Sequence, residues 1–212
     1  SALTTTQIRG IATTGIREMT LPQLAALSSR QISALNATAI GTFSSAHLQA
    51  LTALQLAGLT STQIKSLGTT AVAALNTTQL QALTTTQIAG LGSAQAEHLS
   101  LAQLAALSSS QLAALSASAV KGLQSTQIAS LNPDKLAALT TRQVAALSVP
   151  AVGGLTQTQL ASMTTSQLAS MTSAQFGELS TSLISALSAT QMAALTVTEL
   201  RGLTFTQASA LT

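Results

Sequence analysis

Few side chains in this 212-residue sequence could carry out acid–base or metal chemistry, and the adjacent pair Glu97 and His98 is the first candidate. A histidine beside a carboxylate can belong to a metal site or to a catalytic pair. In a helix, however, adjacent side chains diverge by about 100°, and no third ligand or orienting group recurs nearby in the sequence. The pair is therefore a weak candidate, unless the stacking of distant segments supplies a further ligand.

The other ionisable side chains form no stronger candidate. His47 stands where most units have a glutamine, so we interpret it as a substitute helix cap or a solvated side chain. Glu18, Asp134, Glu178 and Glu199 are dispersed along the chain, whereas acid–base chemistry by paired carboxylates needs two of them close together. The serines have no neighbouring base, and the glycines form no phosphate-binding loop. We therefore predict no catalytic, cofactor-binding or metal-ligating residue, and a protein that is not an enzyme.

The composition argues against several classes of partner. Charged residues make up 6% of the sequence, far below the usual ~25%. The basic residues are scattered and the net charge is only +3, so no nucleic-acid surface is predicted. Cysteine is absent, which excludes disulfides and thiolate metal sites within this sequence. Polar residues interrupt every apolar run well before the ~18 residues of a transmembrane helix, so no membrane insertion is predicted.

The sequence repeats one eight-residue phrase along its whole length. A clear unit is LTTTQIAG, residues 83–90, and we number its positions one to eight from Leu83. Position one is hydrophobic, mostly Leu, every eight residues from Leu3 to Leu211, with no insertion. Position six is hydrophobic, position eight is usually small, and position seven includes several charged residues. The pattern predicts that positions one and six face a core, that position eight lies at a tight contact, and that position seven faces solvent.

An unbroken helix cannot keep these positions on one side, because eight residues at about 100° each overshoot two turns by about 80°. Position two supplies the break, since it holds Thr, Ser, Asn or Gly in all units except those with Ala12 and Gln124. Position five is Gln in 17 of 26 units, which completes Ser/Thr-x-x-Gln capping boxes. Pro22, Pro133 and Pro150 all fall in the predicted first turn, where a helix tolerates proline. Each unit is therefore predicted to be a helix of about one and a half to two turns.

Helices this short are unstable in isolation, so neighbouring units must share a core, as in a solenoid. A β-solenoid is the alternative that the Thr runs favour. The apolar residues, however, are spaced by five and then three positions, which does not alternate as a strand requires. We therefore predict an all-α solenoid of very short helices that spans residues 1–212 as one continuous array, without separate capping domains.

The number of helices in one coil of this solenoid is less evident from the sequence. Glycine at position eight occurs only in alternate units, at Gly10, Gly58, Gly90, Gly122, Gly154 and Gly202. This parity favours an even number of helices per coil, and a 16-residue helix pair is the leading expectation. Four helices per coil fit the same parity, and three are compatible with it if duplication has left a parity of its own.

The phrases LTTTQIAGL, LSSSQLAAL and LTTRQVAAL resemble octapeptide arrays of very large secreted bacterial proteins, of the form L-[ST]-x-x-Q-[LI]-x-[AG]. Such proteins are labelled adhesin-like, type I secreted or haem-utilisation proteins. The resemblance covers the whole chain and implies an extracellular or cell-surface location in bacteria, but it carries over no binding residue. Neither histidine has the setting of a haem ligand, so no haem or other cofactor is expected.

The repeat pattern and the lack of a catalytic constellation lead us to expect a structural protein, such as an adhesin stalk or a fibre subunit. The sequence starts within one unit, at Ser1 and Ala2, and stops within another, at Thr212. The expected partner is therefore a second copy joined head-to-tail through the array ends, or further repeats of a longer chain. The alternative function is a Thr/Ser-rich module that binds ice, carbohydrate or a solid surface.

Overall fold

The computed structural model of the protein describes residues 3–211, which form 26 short α-helices and no β-strand. The helices are α1 Thr5–Arg9, α2 Thr13–Arg17, α3 Leu21–Ala25, α4 Ser29–Ala34, α5 Ala37–Ile40, α6 Ser45–Ala50, α7 Ala53–Ala57, α8 Ser61–Ser66, α9 Thr69–Ala73, α10 Thr77–Gln81, α11 Thr85–Ile88, α12 Ser93–Glu97, α13 Leu101–Ala106, α14 Ser109–Ala114, α15 Ala117–Lys121, α16 Ser125–Ser130, α17 Pro133–Ala137, α18 Thr141–Ala146, α19 Val149–Val152, α20 Gln157–Ser162, α21 Thr165–Leu168, α22 Ser173–Glu178, α23 Thr181–Ser185, α24 Ala189–Ala193, α25 Val197–Leu200 and α26 Phe205–Ser209. The prediction of an all-α array with one helix per unit is confirmed.

None of the described helices is long and apolar enough to cross a membrane. Ser1, Ala2 and Thr212, on which the expectation about the array ends rests, lie outside the described residues.

Reciprocal caps start most of the helices, as predicted. At α11, the Thr84 hydroxyl accepts a hydrogen bond from the Gln87 backbone N–H at 3.3 Å, and Gln87 Oε1 accepts one from the Thr84 N–H at 2.8 Å. These bonds satisfy backbone donors that the first turn of a helix cannot pair internally. The side chains of Ala12 and Gln124, the two exceptions at position two, accept no such bond. Some helices end where position one takes an extended backbone, as at Leu107 with φ −61° and ψ 137°. The others end one or two residues earlier, as at Gly58 with φ −76° and ψ −17°.

Three helices make one coil. Each helix packs on the helix three units later, as in the pairs α1 with α4, α2 with α5 and α3 with α6. Hydrogen bonds between coils have the same period, since the amide of Gln111 donates to the carbonyl oxygen of Leu83, at position one of the unit three before. The leading expectation of an even number of helices per coil is therefore wrong, and the three-helix alternative is correct.

The alternation of glycines that favoured an even number has a different cause. Position eight lies against position three of the unit three before, and five glycines face serines there, in the pairs Gly58–Ser29, Gly90–Ser61, Gly122–Ser93, Gly154–Ser125 and Gly202–Ser173. A Cβ atom on any of these glycines would lie 2.0–2.6 Å from the serine carbonyl oxygen. No glycine occupies position eight above a residue other than serine. The serine–glycine pairs thus mark the three-unit contact, while the spacing of Gly58, Gly90, Gly122 and Gly154 reflects a four-unit repeat in the sequence.

One apolar core runs through the described coils, and positions one and six fill it as predicted. Leu107 at position one and Leu112 at position six are both fully buried. Phe43 and Phe176 replace aliphatic residues in this core, whereas Phe205, at position three, is 89% exposed. Positions three, four and seven therefore form most of the surface, and the core is shared between coils.

Gly122→Ala should lower the free energy of unfolding by about 1–3 kcal/mol, because the new methyl group would overlap the Ser93 backbone of the earlier coil. No described residue has a positive φ, so the backbone itself does not oppose alanine at this position. Gly10→Ala is the matched control: Gly10 also occupies position eight, but a Cβ there would meet nothing closer than 3.5 Å. Chemical denaturation should show a loss of stability only for Gly122→Ala. Equal stability of the two variants would mean that the coils can move apart at no cost.

Candidate functional site

Glu97 and His98 lie together at the exposed end of α12. His98 Nδ1 lies 2.7 Å from the carbonyl oxygen of Ala94 in the same helix. Within residues 3–211, no three side chains of His, Asp or Glu come close enough to hold a metal ion together. The stacking of the described coils therefore does not make a three-ligand site from this pair. That no residue is catalytic or binds a cofactor stays a prediction.

The other acidic side chains act on separate helices. Glu199 is buried at position five of α25, where its Oε2 accepts a hydrogen bond from the Thr196 N–H at 2.7 Å. Asp134 lies in the first turn of α17, where a negative charge suits the helix dipole. Glu18 and Glu178 are exposed. These carboxylates therefore have local roles in capping or at the surface.

Glutamine at position five joins successive coils in addition to capping its own helix. In α14, Gln111 Oε1 accepts a hydrogen bond from the Ser108 N–H at 2.9 Å. Its Nε2 donates to the carbonyl oxygens of Leu80 and Leu83 in the earlier coil, at 3.2 and 2.8 Å. The Leu83 carbonyl accepts no backbone hydrogen bond. The side-chain amide of Gln111 thus pairs a backbone N–H at the start of its own helix. It also pairs backbone carbonyl oxygens between two helices of the preceding coil.

The bond from Nε2 to the position-one carbonyl recurs at every position-five glutamine that follows a described coil. These glutamines are Gln31, Gln55, Gln63, Gln79, Gln87, Gln95, Gln103, Gln111, Gln127, Gln143, Gln159, Gln167, Gln175, Gln191 and Gln207. We call this series of bonds the glutamine ladder. Most of its amides are buried, and no buried side-chain nitrogen or oxygen in residues 3–211 lacks a hydrogen-bond partner. Because an unpaired buried polar group is costly, the ladder fixes the register of each coil on the one before.

His47 shows what the ladder requires of a side chain. Its Nδ1 lies 3.1 Å from the Ser44 backbone nitrogen, where it accepts the capping bond. Its Nε2 lies 3.0 Å from the carbonyl oxygen of Met19, which is position one of the earlier coil. Neutral imidazole with its proton on Nε2 can therefore accept at one end and donate at the other, as an amide does. The capping role predicted for His47 is confirmed, whereas its bond to the earlier coil was not predicted, because the acceptor lies 28 residues away in the sequence.

The stacking of every third helix produces three columns of helices, and one column carries a regular row of hydroxyl groups. This second column contains α2, α5, α8, α11, α14, α17, α20, α23 and α26. Its position-four residues are all exposed, and we call them the hydroxyl face: Thr14, Thr38, Thr62, Thr86, Ser110, Asp134, Thr158, Ser182 and Thr206. The same position in the other columns includes Leu54, Ala102 and Arg142. Sequence reasoning missed this face because it becomes visible only at a spacing of three units.

No protein-family model matches this chain, and a comparison with curated proteins found no significant match. The fold itself is a tandem array of short helices in a solenoid. The function must therefore be inferred from the ladder and from the surfaces of the array.

Proposed function

We propose that this protein is a structural, non-enzymatic repeat protein that forms a rod or filament in an extracellular bacterial assembly, such as an adhesin stalk or a fibre. The observation that carries the proposal is the glutamine ladder, which attaches each coil to the preceding one by the same bonds at 2.5–3.2 Å. Because every coil adds the same contacts, the length of the array grows with the number of units while its cross-section stays constant. Such an array is suited to act as a spacer whose length is set by the number of units.

The extracellular location is supported by the resemblance of the octapeptide to arrays of large secreted bacterial proteins. The surface agrees with a protein that must remain soluble with few charges, since exposed Thr, Ser and Gln side chains cover the coils. The sequence contains no cysteine, so its fold uses no disulfide within residues 1–212. Fractionation of native cells that found the protein only in the cytosol would contradict this part of the proposal.

Deleting residues 83–106 tests the rod. These residues are three whole units, so the flanking units can close on each other with the repeat register intact. We expect small-angle X-ray scattering to show a maximum dimension shorter by roughly one helix-packing distance, about 8–10 Å. The cross-sectional radius should not change. A compact particle, or a cross-section that changes with the deletion, would contradict the rod.

The hydroxyl face favours a second candidate function, which is the binding of ice, carbohydrate or a solid surface. Eight of its nine residues carry hydroxyl groups, and adjacent hydroxyls pair within units, as between Ser108 and Ser110 at 3.0 Å. A regular row of hydroxyl groups could match a regular surface.

The second candidate is tested by replacing Thr62, Thr86 and Ser110 with Lys. The matched control places three Lys residues at the same position of the first column, by replacing Thr78, Ala102 and Thr126. The unmodified protein and the control should be retained on ice or on insoluble polysaccharide. The hydroxyl-face variant should not be retained. If neither surface retains the unmodified protein, these two versions of the second candidate fail.

A further inference from the structure

The first column of helices has exposed apolar side chains in the middle of the array. This column contains α1, α4, α7, α10, α13, α16, α19, α22 and α25. Leu54 on α7 is 72% exposed and Leu101 on α13 is 48% exposed, and described coils lie on either side of both. No other large hydrophobic side chain between residues 51 and 170 is exposed. The first column therefore differs from the other two along its side, and not at its ends.

The apolar residues recur in every second coil of this column, at positions three and four. The apolar pairs lie on α7, α13 and α19 and are Ala53 with Leu54, Leu101 with Ala102, and Val149 with Pro150. Hydroxyl pairs lie on α10 and α16 between them and are Thr77 with Thr78, and Ser125 with Thr126. We call the surface of these five helices the banded face.

The banded face carries no charged side chain. The charged residues between positions 51 and 170 all lie on helices of the other two columns: Lys65, Glu97, Lys121, Asp134, Lys135 and Arg142. Charged residues therefore border an uncharged strip that contains the exposed leucines. An exposed apolar surface with a polar border is typical of a contact surface.

The banded face reaches the size of a small protein–protein interface. Its five helices stack to a length of about 40–50 Å, and a helix with its side chains is about 10–12 Å wide, so two such faces bury roughly 800–1,200 Å² in all. This total lies at the lower end of the range for specific protein pairs. The contact should therefore be reversible and depend on protein concentration.

We infer that the banded face packs side by side on the banded face of a second copy of this chain, with the two arrays antiparallel and a two-fold axis at α13. In this register α13 faces α13, α10 faces α16 and α7 faces α19. A second copy has the same bands at the same spacing, so each apolar pair faces an apolar pair and each hydroxyl pair faces a hydroxyl pair. Facing hydroxyl groups can donate to and accept from each other when they are buried.

Charges beyond the banded face favour the antiparallel orientation. In a parallel pair every helix faces its own counterpart, so the exposed Arg30 on α4 would face Arg30, and the exposed Glu178 on α22 would face Glu178. In the antiparallel pair α4 faces α22, which places Arg30 and Glu178 on facing helices. Arg9 and Arg201 meet like charges in either orientation. Since like charges across an interface are unfavourable, the antiparallel pair has fewer such contacts.

The inference rests on the proposed rod and names its lateral partner. Only a straight array can keep five helices of one column in contact with five helices of another. The pairing therefore adds width to the rod without adding much to its length.

Leu54→Lys with Leu101→Lys tests the contact. Both side chains are exposed within one array, so the variant should fold normally, as circular dichroism and chemical unfolding can verify. In the pair, the substitutions remove the apolar contact with α19 and place two like charges at the two-fold axis. The matched control is Thr70→Lys with Ser118→Lys, which adds the same charge at exposed sites of the same two coils, on α9 and α15.

Sedimentation velocity measures the effect on association. The unmodified protein and the control should form dimers over the same concentration range. The Leu54→Lys, Leu101→Lys variant should need a concentration higher by about 100-fold or more, because each copy loses two buried leucine side chains and gains repulsion at the axis.

Single cysteines test the register, since the chain has no cysteine of its own. On air oxidation, Leu101→Cys should form a disulfide-linked dimer, because this position faces itself across the axis. Leu54→Cys should form none, because the two copies of α7 are four coils apart, about 32–40 Å, and a disulfide spans only about 6 Å between Cα atoms. An equimolar mixture of Leu54→Cys and Pro150→Cys should again form linked dimers.

The outcomes separate the pair from the rod. Association of the Leu54→Lys, Leu101→Lys variant at the concentration of the unmodified protein would overturn the pair, and so would a disulfide between two Leu54→Cys copies. If the unmodified protein stays monomeric at high concentration but is elongated in X-ray scattering, the pair is wrong and the rod stands. Retention of that monomer on phosphatidylcholine vesicles, with loss in the Lys variant, would assign the banded face to a lipid surface instead.

X-ray scattering also identifies the pair directly, since a dimer should have nearly the length of the monomer and a larger cross-section. The deletion of residues 83–106 removes Leu101, so the length of the rod is compared at concentrations where both proteins are monomeric. If the monomer is compact, the proposed function itself fails.

Discussion

Replacing Gln111 with Ala should lower the free energy of unfolding by about 2–5 kcal/mol, the largest effect of any single polar substitution considered for this chain. The reason is that Gln111 is 5% exposed and serves two coils. Its loss leaves the Ser108 N–H and the Leu83 carbonyl without a side-chain partner in places that water reaches poorly. The measurement is equilibrium unfolding in guanidinium chloride, followed by circular dichroism.

Gln157→Ala is the control for this prediction, since Gln157 is exposed at position three and its side chain forms no described hydrogen bond. It should change stability by less than about 0.5 kcal/mol. If the two alanine variants were equally stable, the ladder would be a geometric regularity without an energetic role. Gln111→Glu would add a further comparison, because it can keep the cap and loses only the bond between coils.

Leu107→Ala should cost about 2–5 kcal/mol, because it removes a fully buried position-one side chain from the middle of the array. The core at this point is shared by neighbouring coils, which limits how far the structure can collapse into the cavity. Thermal and chemical unfolding of the variant measure the loss.

Ala105→Lys is the matched substitution for the core prediction. Ala105 is exposed at position seven, which already holds Lys65 and Lys121 in other units. It should alter the free energy of unfolding by less than about 0.5 kcal/mol. Comparable losses for Leu107→Ala and Ala105→Lys would contradict the assignment of the buried and exposed positions.

The local structure of this protein could be predicted from its sequence, because the relevant interactions lie within one unit. The capping bonds of Thr84 and Gln87 join residues three apart. Positions one and six of a unit are five residues apart, and both are buried in the core. Such contacts depend on residue type and spacing alone. The helices, their starts and the burial of Leu107 and Leu112 were accordingly foreseen.

The candidate interaction surfaces could be predicted only in part. That His47 caps a helix followed from the residue type usual at its position, but its bond to Met19 depends on which unit lies beneath it. The hydroxyl face likewise exists only because every third helix stacks, which aligns Thr62, Thr86 and Ser110 on one side. With two or four helices per coil, the same residues would lie on different sides.

What the sequence by itself determined is therefore the unit: one short, capped helix with two core positions, which has four to six residues in the structure. The tertiary structure alone decided the number of units per coil, because that number depends on how closely whole helices can approach. The serine–glycine pairs, such as Ser93 with Gly122, reflect the three-helix coil in the sequence, because the two residues in contact are 29 positions apart. The more obvious pattern, glycine at position eight in alternate units, favoured an even number of helices per coil. A close backbone contact excludes a Cβ atom only between units that touch, and which units touch is settled by packing across the coil.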